Sequence, residues 1–246
     1  MKVLVVKNQK DADRQGVKIF RQAYKHGART FGLATGGTPE GLYRELCQSD
    51  LDFRDCIAIN LDEYVGLDGN HPQSYRYYMQ SNLFNQKPFA ETYLPDGMAP
   101  SAKVECTHYN WIIATNPIDL QILGIGQNGH IGFNEPGTPF TSTTHVVNLT
   151  PSTIKANSRY FKDESQVPTQ ALTQGIGNIL QAKQILLMAF GPEKAQAVKE
   201  ALTGKVTEDL PASVLQKHPH VTVLLDEAAA ALLPSEWVAE HVQHIY

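Results

Sequence analysis

Features that would place this chain outside the cytoplasm are scarce in its sequence. The 246 residues include only three cysteines, Cys47, Cys56 and Cys106. They form no CxxC pair, and their odd number argues against a disulfide framework, so ordinary thiols in a reducing compartment are expected. The apolar run within residues 1–6 is too short for a signal peptide or a membrane span. We therefore expect a cytoplasmic protein with no membrane partner.

Positive charge is also limited. The formal net charge is -4 and no long basic run occurs. This disfavours binding to nucleic acid or anionic membranes, because both require a positively charged surface. The sequence also has no internal repeat, no low-complexity segment and no linker rich in Gly or Ser. With 42% hydrophobic residues it can bury a sizeable core, and a single domain over residues 1–246 is predicted.

Short runs of β-branched and aliphatic residues alternate with stretches of helical periodicity. Residues 10–26, for example, place Val17, Phe20 and Tyr24 at helical spacing. The alternation predicts an α/β fold with a mostly parallel sheet and helices on both faces. The polar stretch 150–170 is either a surface excursion or a lid over a site. The predicted strands are 2–6, 30–34, 56–60, 118–123, 143–149, 184–190 and 221–225; the predicted helices are 10–26, one ending near residue 48, 73–84, 101–115, 171–181 and 192–203.

Four unusual segments each follow a predicted strand directly. They are residues 35–39, 61–66, 124–136 and 191–194. If the strands are parallel, all four segments lie at the same edge of the sheet, where open α/β sheets bind their ligands. The sequence therefore predicts one binding site at the carboxyl edge.

The first and last of these segments have the composition of an anion site. Gly36 and Gly37 allow a ligand to approach the backbone. Thr38 is a good N-cap and Pro39 suits the first position of a helix, whose free N–H groups favour phosphate. Lys194 falls in the first turn of a predicted helix, where the helix dipole disfavours a cation unless an anion is bound. An ordinary capped turn and a solvated surface lysine are the alternatives.

The second segment carries two adjacent acidic residues, Asp62 and Glu63. Neighbouring side chains of an extended chain point to opposite faces, so at most one of them reaches the site. A carboxylate there could serve as a general base or bind a sugar hydroxyl. The alternative is a solvated acidic turn.

The third segment, residues 124–136, contains GxGxxG, which raises the possibility of a dinucleotide site. Two observations count against it: Gly132 and Pro136 disfavour a long helix there, and residues 140–151 contain no Asp or Glu to bind a ribose. We interpret the segment as a glycine-rich loop that presents His130 and Glu135, a pair suited to proton transfer.

In combination and in order, these segments resemble the glucosamine-6-phosphate deaminase family. The resemblance covers nearly the whole chain from about residue 30 to about residue 225. It implies a modified Rossmann-like fold and the conversion of glucosamine 6-phosphate and water to fructose 6-phosphate and ammonia, with no metal or organic cofactor. The matching strings are LATGGTP at 33–39, NLDEYVGL at 60–67, HPQSYRYYM at 71–79, GIGQNGHIGFNEP at 124–136, ANSRYF at 156–161, VPTQALTQGIG at 167–177 and FGPEKA at 190–195.

The resemblance also implies roles for individual residues. Asp62 would be the base that moves a proton between C2 and C1, His130 would help to open the sugar ring, and Glu135 would orient and tune His130. Asn128 stands where some members of the family have Asp; it can orient a neighbour by hydrogen bonds but supplies no charge. Residues 150–170 would form the lid. The phosphate would be held by Gly36, Gly37, Thr38, Arg159 and Lys194.

The same resemblance bears on assembly. Long members of the family form hexamers and carry a C-terminal extension, whereas this chain runs only about twenty residues past the last predicted strand at 221–225. A monomer or at most a weak dimer is therefore expected.

Three other functions compete with a deaminase. A 6-phosphogluconolactonase shares the fold and a similar glycine–histidine loop, but the DEYVG and FNEP strings favour the deaminase. A non-catalytic sugar-phosphate sensor of a transcription regulator would add a basic helix-turn-helix, and none is visible. An NAD-dependent dehydrogenase would have to bind nicotinamide. The expected partner is a small sugar phosphate, with no nucleic acid.

Overall fold

The main sheet of the protein is parallel throughout. The computed structural model describes residues 1–150, 154–155, 161, 163 and 166–245. Within this part, eight strands form one sheet in which every neighbouring pair is parallel. Most are short and apolar, as expected for strands covered on both faces. Across the sheet the order is β11 (Val242–Ile245), β1 (Lys2–Val6), β10 (Val221–Asp226), β9 (Gln184–Ala189), β6 (Leu120–Leu123), β2 (Thr30–Leu33), β3 (Ile57–Asn60) and β5 (Glu91–Tyr93).

A second sheet of three antiparallel strands extends from the carboxyl edge of the first. Strand β4 (Asp62–Tyr64) pairs with β8 (Gln170–Thr173), and β8 pairs with β7 (His145–Asn148). Only Leu61 separates β4 from β3, and its N–H donates to the carbonyl of Leu33 at 3.0 Å. The small sheet is thus attached directly to the edge where the site is expected.

Helices flank the main sheet. Helix α1 starts at an Asn8 cap, and its Phe20 ring stacks on Phe31 of β2 with centroids 5.2 Å apart. No described helix is long and apolar enough to cross a membrane. The helices are α1 (Gln9–Lys25), α2 (Gly37–Gln48), α3 (Tyr75–Met79) continued by a π-helical turn (Gln80–Phe84), α4 (Ala102–Thr115), α5 (Ile176–Ile179), α6 (Ala195–Thr203), α7 (Glu227–Ala230) and α8 (Ser235–His241), with 3₁₀ turns at Pro192–Lys194 and Pro211–Lys217.

The predicted α/β class and its parallel sheet are confirmed, but one predicted helix is wrong. Residues 171–181 divide between strand β8 and the four-residue helix α5. Strand β8 pairs with β4 on one side and β7 on the other, and these backbone hydrogen bonds override the local helical spacing. The strand predicted at 143–149 exists as β7, but in the small sheet. Strands β4, β5 and β11 were not predicted.

The predicted lid at 150–170 falls largely outside the described residues. Two of its described residues, Ile154 and Phe161, pack against the buried cluster of Tyr64, Phe133, Leu149 and Ala171 beside the small sheet. The lid remains a prediction.

Candidate active site

Strand order brings the four unusual segments together. They follow β9, β6, β2 and β3, which are consecutive neighbours in the parallel sheet. Strands β2 and β6 are neighbours, but the chain leaves them in opposite directions. The next strand after β2 is β3, on the far side of β2 from β6, and the next strand of this sheet after β6 is β9, on the far side of β6 from β2. The loops after β2 and β6 therefore diverge, and such a reversal of strand order opens a ligand crevice at the carboxyl edge. The predicted convergence of the segments is confirmed.

The loop after β2 enters helix α2 through Gly36. Gly36 has φ +91° and is the N-cap of α2, so the prediction that Thr38 caps the helix is wrong. Because a backbone with positive φ turns directly into the helix, α2 starts at Gly37, one residue before Thr38. No side chain caps this helix end, and the N–H groups of its first turn are the kind of donor that binds an anion.

Asp62 is the buried carboxylate at the start of β4. Only 6% of its surface is exposed. Burial, reinforced by the charge of Glu63, raises the pKa of Asp62 to about 8. Its Oδ2 lies 3.8 Å from the position that a Cβ on Gly132 would occupy, so the carboxylate faces the loop that carries His130. A raised pKa makes this carboxylate a stronger base than an ordinary Asp.

Glu63 has a different environment. Its Oε1 accepts hydrogen bonds from the backbone N–H groups of Tyr64 at 2.8 Å and Tyr75 at 2.9 Å, and its Oε2 accepts from Arg76 at 2.9 Å. Burial raises the pKa of Glu63, while these three bonds oppose the rise. Glu63 thus anchors the N-terminus of α3 to β4.

The loop after β6 brings His130, Glu135 and Asn128 together. Nδ1 of His130 lies 3.5 Å from Oε2 of Glu135, and Nδ2 of Asn128 donates to the same oxygen at 2.6 Å. Oδ1 of Asn128 also accepts from the backbone N–H of His130 at 3.3 Å. A Cβ on Gly126 would lie 2.4 to 2.6 Å from atoms of the His130 ring, so the ring rests on this glycine. Residues 124–144 contain no helix, which agrees with the argument against a dinucleotide site.

Two buried polar residues that the sequence did not single out hold this loop. Thr173 of β8 accepts from the N–H of Phe133 at 3.1 Å. The amide of Asn134 donates to the carbonyls of Ile131 at 2.8 Å and Gln174 at 2.9 Å. The only signal for Asn134 was its place in the FNEP string, and Thr173 lay in a segment predicted to be helical.

Of the two predicted phosphate-binding cations, Lys194 and Arg159, the structure describes only Lys194. Lys194 is half-buried and immediately precedes α6, at the carboxyl edge beyond β9. Arg159 lies outside the described residues. The described part of the chain contains no group of three or more His, Cys, Asp or Glu side chains that could hold a metal ion.

Comparisons with known proteins place these motifs in a family. Residues 9–224 match the family described as glucosamine-6-phosphate isomerases/6-phosphogluconolactonase. A protein of Oenococcus oeni named glucosamine-6-phosphate deaminase is 60% identical over 233 residues, which cover 95% of this chain and 99% of that protein.

Solved structures show the same relationship. A monomeric glucosamine-6-phosphate deaminase is similar to this chain with a TM-score of 0.92 and 43% identity, covering 94% of this chain and 100% of that one. The 6-phosphogluconolactonase of Trypanosoma brucei has a TM-score of 0.80 but only 18% identity, over 95% of this chain and 98% of its own. The second similarity shows a shared fold alone.

Proposed function

Because the chain belongs to the glucosamine-6-phosphate isomerase/6-phosphogluconolactonase family, we propose that it is a glucosamine-6-phosphate deaminase. The overall reaction converts glucosamine 6-phosphate and water to fructose 6-phosphate and ammonia. The 60% identity to a deaminase over 95% of the chain supports this activity over lactone hydrolysis.

The position of Asp62 is the observation that carries the proposal. Isomerising an aldose to a ketose requires a base that takes the proton from C2 and returns it to C1. Hydrolysis of a lactone moves no carbon-bound proton. Asp62 is a buried carboxylate with a raised pKa that faces the His130 loop, and such a group suits the first reaction.

His130 is proposed to open the sugar ring. Ring opening moves a proton from the anomeric hydroxyl to the ring oxygen, and imidazole can do both parts of this transfer near neutral pH. Glu135 lies beside Nδ1 of His130, so we assign Nε2 to the sugar. Asn128 holds Glu135 through the 2.6 Å hydrogen bond and is assigned as the residue that positions this pair.

The remaining steps balance without a cofactor. Asp62 takes the C2 proton of the open-chain aldehyde while O1 gains a proton, which gives an enolamine. Asp62 then delivers its proton to C1 while the nitrogen loses one, which leaves a hydroxyl on C1 and an imine at C2. Water adds to the imine carbon, and the C–N bond breaks to release ammonia and fructose 6-phosphate. The phosphate is proposed to bind the free N–H groups of Gly37 and Thr38, with Lys194 and Arg159 as cations. This remote contact fixes the reacting carbons against Asp62.

A coupled assay of the purified protein tests the activity. Ammonia and fructose 6-phosphate should appear in equal amounts from glucosamine 6-phosphate, and 6-phosphogluconolactone should be hydrolysed no faster than in buffer. Lactone hydrolysis without ammonia release would reverse the assignment.

We also propose that the protein is a monomer or at most a weak dimer that resides in the cytoplasm. The similarity to a monomeric deaminase supports the assembly state. Light scattering of the purified chain should give the mass of one or two copies, and a stable hexamer would contradict the proposal.

A further inference from the structure

A tyrosine of helix α3 contacts the loop between β2 and α2, where the phosphate is proposed to bind. The hydroxyl of Tyr78 donates to the backbone carbonyl of Gly36 at 2.7 Å. Tyr75 of the same helix is hydrogen-bonded to the side chain of Thr35, the preceding loop residue. Helix α3 therefore contacts two consecutive residues of the loop between β2 and α2.

The hydrogen bond to Gly36 also orients the next N–H group. The carbonyl of Gly36 and the N–H of Gly37 belong to one planar, trans peptide unit, in which they point in opposite directions. A donor that fixes the carbonyl on one side therefore fixes the N–H on the other. Gly36 has no side chain to restrict this unit, and a Cβ there would meet nothing within 4 Å. Gly36 is the N-cap of α2, so its carbonyl also accepts the first hydrogen bond of the helix. The hydroxyl of Tyr78 is a second donor that holds the same carbonyl.

Helix α3 is a firm support for this contact. Ser74 caps it by accepting from the N–H of Tyr77 at 3.0 Å, and the carboxylate of Glu63 accepts from the N–H groups of Tyr75 and Arg76. Glu63 belongs to β4, the strand that carries Asp62. The position of Tyr78 is therefore set by the same strand that positions the proposed base.

We propose that Tyr78 is a positioning residue that orients the Gly36–Gly37 peptide so that the Gly37 N–H points at the phosphate of the substrate. The inference rests on the proposed function for the identity of the anion. Tyr78 makes no contact with the sugar in this proposal. Its hydroxyl acts through the loop, and its loss weakens phosphate binding more than the chemical steps.

Two matched tyrosine variants test the proposal. Tyr78→Phe removes only the hydroxyl. Tyr77→Phe is the control, because Tyr77 is the preceding residue and its side chain is 43% exposed. In Tyr78→Phe the KM for glucosamine 6-phosphate and the Kd for inorganic phosphate, measured by calorimetry, should both rise about fivefold to tenfold. Its kcat should stay within about twofold, and Tyr77→Phe should match the parent. Equal phosphate affinity in Tyr78→Phe and the parent, or equal losses in both variants, would overturn the proposal.

A measurement on the parent covers the case in which Tyr78→Phe does not fold. The amide resonance of Gly37 should shift when inorganic phosphate is added, and the absence of a shift overturns the proposal. Phosphate titration needs no turnover. A parent that binds phosphate at Gly37 but releases no ammonia would therefore contradict the proposed function alone. A parent that deaminates while Tyr78→Phe binds phosphate equally well would contradict this inference alone.

Discussion

The carboxylates of Asp62 and Glu63 are adjacent in the chain but lie on opposite faces of strand β4. Glu63 accepts two backbone N–H groups at the start of helix α3 and that of its own neighbour Tyr64, while Asp62 faces the loop of His130 across Gly132. Alternation along an extended strand separates them. One acidic residue is thus assigned to structure and the other to proton transfer.

Replacing Asp62 by Asn should abolish proton transfer without abolishing binding. The amide retains the size of the side chain but is no base at neutral pH. We expect kcat to fall about 10²- to 10⁴-fold, the usual contribution of a general base. Exchange of the C2 proton with deuterated water, followed by NMR, should disappear. The KM should change little, since the phosphate contacts remain.

Glu63→Gln is the matched control for this change. It should retain proton exchange but lower the free energy of unfolding by about 1–3 kcal/mol, because one of the two oxygens that cap α3 becomes an N–H donor. Urea unfolding measures this loss. If Glu63→Gln stops proton exchange and Asp62→Asn does not, the base has been assigned to the wrong residue.

The raised pKa of Asp62 predicts an acid limb in the pH profile. Burial and Glu63 raise this pKa to about 8, so the carboxyl becomes protonated as the pH falls below that value. Only the ionised form accepts a proton, and kcat/KM should therefore drop about tenfold for each pH unit below about 8.

Infrared spectroscopy provides a direct check of that titration. In the parent, the band of the protonated carboxyl should vanish as the pH is raised through the same range. Asp62→Asn should lack this band at every pH. A flat kcat/KM profile between about pH 6 and about pH 8 would show that Asp62 is ionised throughout.

Asn128 should affect turnover more than substrate binding. Its side chain donates to Glu135 at 2.6 Å and accepts from the N–H of His130 at 3.3 Å. Asn128→Ala removes both bonds, so kcat should fall about threefold to tenfold while KM stays within about twofold. Gln127→Ala is the control, because Gln127 is an exposed neighbour in the same loop. Equal kinetics in the two variants would remove Asn128 from the site.

Another buried carboxylate, Asp13 of α1, should destabilise the protein once the pH rises above about 6. It is 6% exposed and packs against Gly41 of α2, and its Oδ1 has no hydrogen-bond partner among the described residues. Burial, followed by the charge of Glu45, raises the pKa of Asp13 to about 6, with Arg44 opposing the rise. Because the folded pKa exceeds the unfolded one, the stability contribution is complete at acid pH and is lost as the pH rises through about 6.

Asp13→Asn removes this ionisation. It should stabilise the protein by on the order of 2 kcal/mol at about pH 8, and the gain should shrink toward zero near pH 4. Urea unfolding at the two pH values measures the difference. Asp11→Asn, at a more exposed position in the same helix, is the control for removing one acidic group from α1. An equal gain at both pH values would mean that packing, and not charge, is responsible.

Part of the fold and of the site could be predicted from the sequence. The parallel sheet followed from alternating strands and helices, and the shared edge followed from the rule that parallel strands end on the same side. The separation of Asp62 from Glu63 followed from the two-residue period of an extended chain. Thr38 was predicted to cap α2 because Thr is a common cap, but the sequence contains no sign that Gly36 adopts the positive φ that starts the helix earlier.

What the sequence by itself determined is the set of properties that depend on neighbours along the chain. These are the α/β class, the glycine-rich loops and the residue types available for proton transfer. The tertiary structure alone decided how distant segments meet. It formed the small sheet by pairing β4 with a segment about 110 residues later in the chain, and it placed Tyr78 against Gly36. Residues 171–173, which were predicted to be helical, became part of strand β8. These outcomes depend on backbone hydrogen bonds between remote segments, and local periodicity carries no information about which remote partner a segment will find.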